Sequence, residues 1–185
     1  GSPVLRAWRA IRDAKRPELL QKANALLAPL VDARIGSGPA PADVWELALE
    51  VKPAAERPAL LAELERGWAR GEWSSREEIT GLVGVLARKD RAAATKWFAR
   101  VPLPFYFAEA RQRAQLLFAL KDVEGAKAEW VSARARLGLT EEQELAAFDA
   151  WRRLGGAPGA SAPAAWTAAA SFWQRKGDFA AWGGD

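Results

Sequence analysis

The chain of 185 residues contains no cysteine, no histidine and no methionine. Without Cys or His it has no thiol nucleophile, no imidazole base and none of the usual ligands of zinc, haem or iron–sulfur clusters. Disulfide bonds are excluded as well, and a chain without Cys suits the cytoplasm and an oxidising periplasm equally. We therefore expect no metal centre and no cofactor.

Residues that favour β-strands are also scarce. Val, Ile and Thr together number 16, whereas Ala alone numbers 41. β-branched side chains favour strands and Ala is the best helix former, so the composition predicts an all-α protein. Long apolar runs are missing too, because no stretch of 18 apolar residues occurs, and we expect no membrane-spanning segment.

Most of the chain lacks an excess of either charge. The net charge is +4, and residues 1–34 carry all of it, with seven Lys and Arg against three Asp and Glu. Residues 35–101 and residues 102–185 each hold ten basic and ten acidic residues. A surface that follows phosphates needs a wider basic excess, so the charge pattern argues against a nucleic-acid partner.

Apolar residues recur at helical spacing between prolines, glycines and capping residues, and this pattern predicts about ten helices. Pro29 lies inside the second helix and is expected to kink it or to move its end. Gly36 and Gly138 are predicted helix stops. The helices are predicted to begin near Ser2, Pro17, Val44, Pro58, Ser75, Asp90, residue 105, Asp122, Thr140 and Pro163, and Gly177-Asp178 begins an eleventh that is cut short.

An internal repeat becomes visible when the chain is shifted by 32 residues. Lys89-Asp90 then falls on Lys121-Asp122, and the apolar positions on either side match as Leu86 with Phe118, Ala94 with Ala126 and Phe98 with Trp130. The segment 121–130 resembles the turn and second helix of a tetratricopeptide repeat, and residues 75–138 carry the best match. The resemblance implies a right-handed superhelix of stacked antiparallel helical hairpins. Gly81 departs from it, because the first helix of such a repeat usually has Leu there.

We predict a single helical-repeat domain over residues 3–182. It consists of divergent hairpins in 3–74, tetratricopeptide-like hairpins in 75–138, and a C-terminal hairpin with a capping segment in 139–182. The chain opens with Gly1-Ser2 and no initiator Met, which is typical of the remnant of a cleaved tag, so we expect it to be part of a longer protein.

Tryptophan is unusually frequent, with ten residues. Most of them lie on apolar stripes, where they would fill gaps between helices built largely from Ala. The alternative is a set of aromatic platforms along a concave groove. Trp73, Trp97 and Trp182 are the residues that we expect to be exposed and available to a partner.

Four arginines of the first helix, Arg6, Arg9, Arg12 and Arg16, recur at spacings of three, three and four. This basic stripe could contact an anionic partner. It could equally be the solvated face of an amphipathic helix, or a contact with a preceding hairpin. The neutral remainder of the chain favours these last two interpretations.

No pattern of catalytic residues emerges. Carboxylates cluster at 63 and 65, at 77 and 78, and at 141, 142 and 144, where helix capping and polar faces explain them, and no glycine-rich phosphate loop occurs. We therefore expect a non-enzymatic scaffold that binds a protein or an extended peptide on a curved helical surface.

Only the amino-acid composition bears on the organism and the compartment in which this scaffold acts. Its Ala, Arg and Trp content is typical of a GC-rich bacterial genome, and similar modules act in multi-protein assemblies, with the periplasm or envelope slightly favoured. Two alternatives remain open: a repeat domain that guides a polysaccharide during export, and a superhelical region of a larger enzyme. We also expect self-association through the C-terminal end, where the last helix lacks a packing partner.

Overall fold

The computed structural model describes residues 2–157 together with Pro163, Ala164 and Trp166. Within these residues it contains nine α-helices and no β-strand, which confirms the all-α prediction. The helices are α1 (Pro3–Asp13), α2 (Pro17–Gly36), α3 (Ala42–Val51), α4 (Arg57–Ala69), α5 (Arg76–Lys89), α6 (Arg91–Phe98), α7 (Phe107–Ala119), α8 (Val123–Leu137) and α9 (Glu141–Arg153), and a short 3₁₀ turn, Ala54–Glu56, precedes α4.

Small polar side chains begin five of these helices. Each accepts a hydrogen bond from a backbone N–H group of the first turn, which otherwise has no partner within the helix. The donors are Leu5 for Ser2, Glu78 for Ser75, Ala93 for Asp90, Gly125 for Asp122 and Gln143 for Thr140. Both predicted capping boxes are confirmed, at Ser75 and at Thr140.

Two expectations about helix ends have opposite outcomes. Gly138 follows α8 with a φ of 54°, a left-handed conformation that favours glycine, so this predicted stop is confirmed. Pro29 lies inside α2, which continues to Gly36, so of the two effects expected of this proline the moved helix end is wrong and the kink stays a prediction. The predicted tenth helix after Pro163 and the eleventh at Gly177-Asp178 lie largely or wholly outside the described residues.

The chain forms two compact units, one up to Pro102 and one from Leu103 onward. In the N-terminal unit α3 is central: it packs against α1, α2, α4 and α5, and seven of its ten residues are buried. Leu5 and Trp8 of α1 and Val31 of α2 meet its apolar face, and α5 packs in turn against α6.

In the C-terminal unit α8 packs against both α7 and α9. Small and large side chains alternate in its core, since Ala126 and Ala133 are fully buried beside Trp130. Phe148 and Trp151 of α9 and the later Trp166 complete this core. None of the helices in the described part of the chain combines the length and the apolar character that a bilayer crossing requires.

Candidate functional site

Two of the tryptophans expected to be exposed are buried. Trp73 is 2% exposed and Trp97 is 1% exposed, so the expectation that they face solvent is wrong. The indole N–H of Trp73 donates to the backbone oxygen of Ala40 at 3.1 Å, and that of Trp97 donates to the Glu65 carboxylate at 2.9 Å. Trp182, the third of these residues, lies outside the described part of the chain.

These indoles belong to an aromatic row inside the N-terminal unit. Trp73 has its ring centre 5.8 Å from Trp45 and 6.0 Å from Trp97, and Trp97 lies 5.8 Å from Trp68. Arg100 covers the end of the row, with its guanidinium carbon 4.3 Å from the ring centre of Trp97 and 4.9 Å from that of Trp68. Burial removes water from the indole of Trp97. The Glu65 carboxylate accepts a hydrogen bond from its N–H group and Arg100 lies over its ring face, and these two contacts offset the lost hydration.

The arginine stripe of α1 turns partly inward. Arg9 binds Glu46 of α3 at 2.6 Å, and Arg12 lies 3.5 Å from Glu50 of the same helix. Arg12 also binds Asp13 at 2.9 Å and has its guanidinium 5.3 Å from the ring centre of Trp8.

Arg6 of α1 lies on the exposed surface. Arg16 lies beyond α1, immediately before α2, where it binds Glu18 at 3.0 Å, so the expectation that it belongs to the stripe of the first helix is wrong. Two of the four arginines therefore pair with carboxylates of a neighbouring helix rather than presenting their charge to solvent.

Glu46 and Glu50 are the charged residues that sequence reasoning missed. Their side chains are only 10% and 4% exposed. Arg88 and Lys89 of α5 bind Glu50 at 2.7 and 2.8 Å. The signal was present in the sequence, because Glu46 and Glu50 are four residues apart on a mainly apolar helix, while Arg9 and Arg12 are three apart, so each pair shares one helix face.

The two carboxylates have opposite pKa shifts. Burial raises the pKa of Glu46, and this outweighs the opposing effect of the Arg9 charge. Burial also acts to raise the pKa of Glu50, but the hydrogen bonds from Lys89 and Arg88 and their charges outweigh it, so the pKa is lowered. The cluster therefore holds one firmly ionised carboxylate and one that burial shifts toward the protonated form.

Gly81 of α5 explains part of the departure from the tetratricopeptide pattern. A Cβ atom at this position would overlap the carboxylate of Glu46. A side chain at this position of α5, such as the expected Leu, would therefore have to displace the carboxylate of Glu46. Among the described residues, no group of three or more Asp or Glu side chains could hold a metal ion.

An open groove of about 610 Å³ lies in the C-terminal unit, between α7 and α9. Trp130 of α8 is among its lining residues, and the small side chains of Ala114, Ala146 and Ala150 leave its floor open. Its volume is in the range of sites that hold small ligands or short chain segments.

The apolar wall of the groove is formed by aromatic residues of α7. Phe118 is 52% exposed although it is large and apolar. Phe107 lies with its ring centre 5.6 Å from that of Trp130. An exposed aromatic beside a concave surface is typical of a residue that anchors a binding partner.

The polar wall of the groove carries both acidic and basic side chains. Asp149 and Arg153, one turn apart on α9, form an ion pair at 2.8 Å. Arg111 and Gln115 on α7 are exposed and also line the groove. Arg111, Gln115 and Phe118 occupy one face of α7 because they are separated by four and three residues.

Comparison with known proteins adds no relative from which a function could be inferred, so the functional proposal rests on this geometry. No family model matches the chain, and neither the curated proteins nor the solved structures contain a match.

Proposed function

We propose that the chain is a non-catalytic helical-repeat module that binds a protein partner by holding an extended peptide segment in the groove between α7 and α9. The observation that carries this proposal is the half-exposed Phe118 at the edge of a groove with a small-residue floor. Full exposure of a phenylalanine to water is unfavourable by about 1.5–3 kcal/mol relative to full burial, and a partner that covers the exposed half of Phe118 recovers about half of that free energy.

We also propose that the hairpins are degenerate tetratricopeptide-like repeats stacked into a right-handed superhelix within a bacterial assembly. The hairpins α5–α6 and α7–α8 support this, because in each the second helix starts with a capping Asp, at Asp90 and Asp122. Ala94 and Ala126, four residues later, are both fully buried. Small residues at equivalent positions allow the two helices of a hairpin to approach closely.

The burial of the indoles favours a peptide over a polysaccharide. Sugar rings stack on exposed aromatic faces, and Trp73 and Trp97 were the platforms expected to provide them. Both are buried, and Arg100 covers the faces of Trp97 and Trp68. The exposed aromatic that lines the groove is Phe118, which has no polar group to hydrogen-bond a sugar hydroxyl.

The test is a selection of displayed random peptides on immobilised protein, repeated on two variants. Ala146→Trp places an indole in the groove from an exposed position on α9. Ala92→Trp adds the same side chain at an exposed position of α6 and serves as the control.

We expect the unmodified protein and Ala92→Trp to enrich the same peptides, and Ala146→Trp to lose their binding at least tenfold. The proposal is wrong if no peptide is enriched, or if the enriched peptides bind Ala146→Trp as tightly as the unmodified protein.

A further inference from the structure

The groove leaves one charged group without a partner. Arg111 is exposed, and its guanidinium makes no ion pair or hydrogen bond within the described residues. On α9, Asp149 binds Arg153 through its Oδ2 atom, while its Oδ1 atom is buried and out of reach of a ligand in the groove. A ligand that brings an acceptor to Arg111 therefore gains affinity at this point.

The polar side chains of α7 specify the conformation of the ligand. Arg111 requires an acceptor, and Gln115, one turn further along α7, can donate as well as accept. A helical ligand has already satisfied its backbone N–H and C=O groups internally, whereas an extended segment presents both. The groove is therefore better matched to an extended chain than to a helix.

The charges specify part of its sequence. Arg111 and Arg153 place two positive charges in the groove, and the single carboxylate of Asp149 already balances one of them. An acidic side chain on the ligand would pair with Arg111, whereas a basic one would be repelled. The exposed face of Phe118 requires an apolar side chain on the same ligand.

The spacing between these two contacts follows from α7. Arg111 and Phe118 are seven residues apart, which corresponds to about 10 Å along the helix axis at 1.5 Å per residue. A polyproline II segment rises about 3.1 Å per residue and repeats every three residues, so positions three apart share a face about 9 Å from each other. The two contacts on α7 therefore match ligand positions separated by three.

We infer that the groove selects an extended peptide with one apolar and one acidic side chain three positions apart, the apolar one against Phe118 and the acidic one paired with Arg111. The inference rests on the proposed function and adds the class of peptide that the module recognises.

The test uses fluorescein-labelled peptides with blocked ends, so that no terminal charge contributes. The probes have the cores Leu-Ser-Pro-Asp and Asp-Ser-Pro-Leu, which cover both chain directions, between Gly-Ser flanks. Matched probes replace the Asp by Lys or the Leu by Ala. Binding is measured by fluorescence anisotropy at low salt, where exposed charges are least screened.

We expect at least one of the two acidic probes to bind at least tenfold more tightly than its Lys and Ala counterparts. Arg111→Glu should reverse the preference, so that the Lys probe binds more tightly than the Asp probe, and Arg111→Gln should give an intermediate result. Arg91→Glu, at an exposed position of α6, is the control and should change nothing. Thermal melts of each variant verify that folding is unaffected.

The inference is overturned if no acidic probe binds, if the Asp and Lys probes bind equally, or if Arg111→Glu leaves the preference unchanged. Those outcomes leave the proposed function standing wherever the peptide selection still yields binders that Ala146→Trp excludes. If the selection itself fails, both the proposed function and the inference fail.

Discussion

Glu46 and Glu50 lie one turn apart on α3, but their carboxylates have different numbers of cationic partners. Glu50 receives Arg88 at 2.7 Å and Lys89 at 2.8 Å, one on each carboxylate oxygen. Glu46 has Arg9 at 2.6 Å, and its other oxygen lies against Gly81. A buried carboxylate remains ionised only where cations and hydrogen bonds replace the water that it has lost.

Gly81 provides a test of how the buried Glu46 is accommodated. Glycine inside a helix is unfavourable by about 0.5–1 kcal/mol relative to alanine, so Gly81→Ala would stabilise α5 if space were available. Because the added Cβ would overlap the Glu46 carboxylate, we expect Gly81→Ala to destabilise the protein instead. In a Glu46→Ala background, the same change should stabilise it by about 0.5–1 kcal/mol.

Urea unfolding followed by tryptophan fluorescence measures all four proteins of this double-mutant cycle. Equal effects of Gly81→Ala in the two backgrounds would contradict the proposed contact with Glu46.

Helix α7 separates a buried face from an exposed one. Ala110, Ala114 and Leu117 are buried, whereas Arg111, at the next position after Ala110, is exposed. The repeat alignment pairs Phe118 with Leu86, which is fully buried, but Phe118 is 52% exposed. The same apolar position in the repeat is thus core in the N-terminal unit and surface in the C-terminal unit.

This difference predicts unequal effects of truncating two phenylalanines. Phe118→Ala should lower the free energy of unfolding by only about 0.5–1.5 kcal/mol, because about half of its side chain is already exposed to water. Phe148→Ala should lower it by about 3–5 kcal/mol, because Phe148 is 2% exposed and packs against Trp151 and Trp166.

Urea denaturation of each variant gives the two values. A large loss in Phe118→Ala would mean that this residue supports the fold, and it would remove the observation on which the groove proposal rests.

Acid should destabilise the protein through carboxylates whose folded-state pKa is lowered. Although burial acts to raise the pKa of both Glu50 and Glu65, hydrogen bonds from neighbouring Arg and Lys lower the pKa below its ordinary value of 4.5. Their contribution to stability is therefore present above pH 4.5 and is lost as the pH falls through their folded-state values. Glu46 acts in the opposite sense, because its raised pKa makes protonation favour the folded state.

We expect the urea midpoint to fall between pH 5 and pH 3. Glu50→Gln should lower the midpoint at pH 5 and reduce its further fall, because the group that titrates has been removed. Glu46→Gln, the matched control on the same helix, should lower the midpoint at pH 5 less than Glu50→Gln does. A midpoint that is constant from pH 5 to pH 3 in the unmodified protein would contradict the assignment.

At the scale of the whole molecule, the chain divides into two units at Pro102, within the segment 75–138 for which we predict the repeat. The N-terminal unit is organised around α3, which is buried on nearly every side. In the C-terminal unit, α7 and α9 leave between them the groove proposed to bind a peptide. The single domain predicted over residues 3–182 stays a prediction.

The sequence by itself determined the helices and many of their ends. Capping side chains, prolines and glycines act within a few residues, so Ser75, Asp90, Asp122, Thr140 and Gly138 could be assigned without tertiary information. Its lack of β-branched residues likewise settled the absence of strands in the described part of the chain.

Only the tertiary structure decided which side chains meet. Trp97 and Phe98 are adjacent in sequence and both aromatic, but only Trp97 is buried, where its indole N–H donates to Glu65 of a different helix. The groove likewise depends on how α7 and α9 approach each other across α8. Burial and charge pairing arise between residues far apart in the chain, whereas helix formation depends on neighbours within one or two turns.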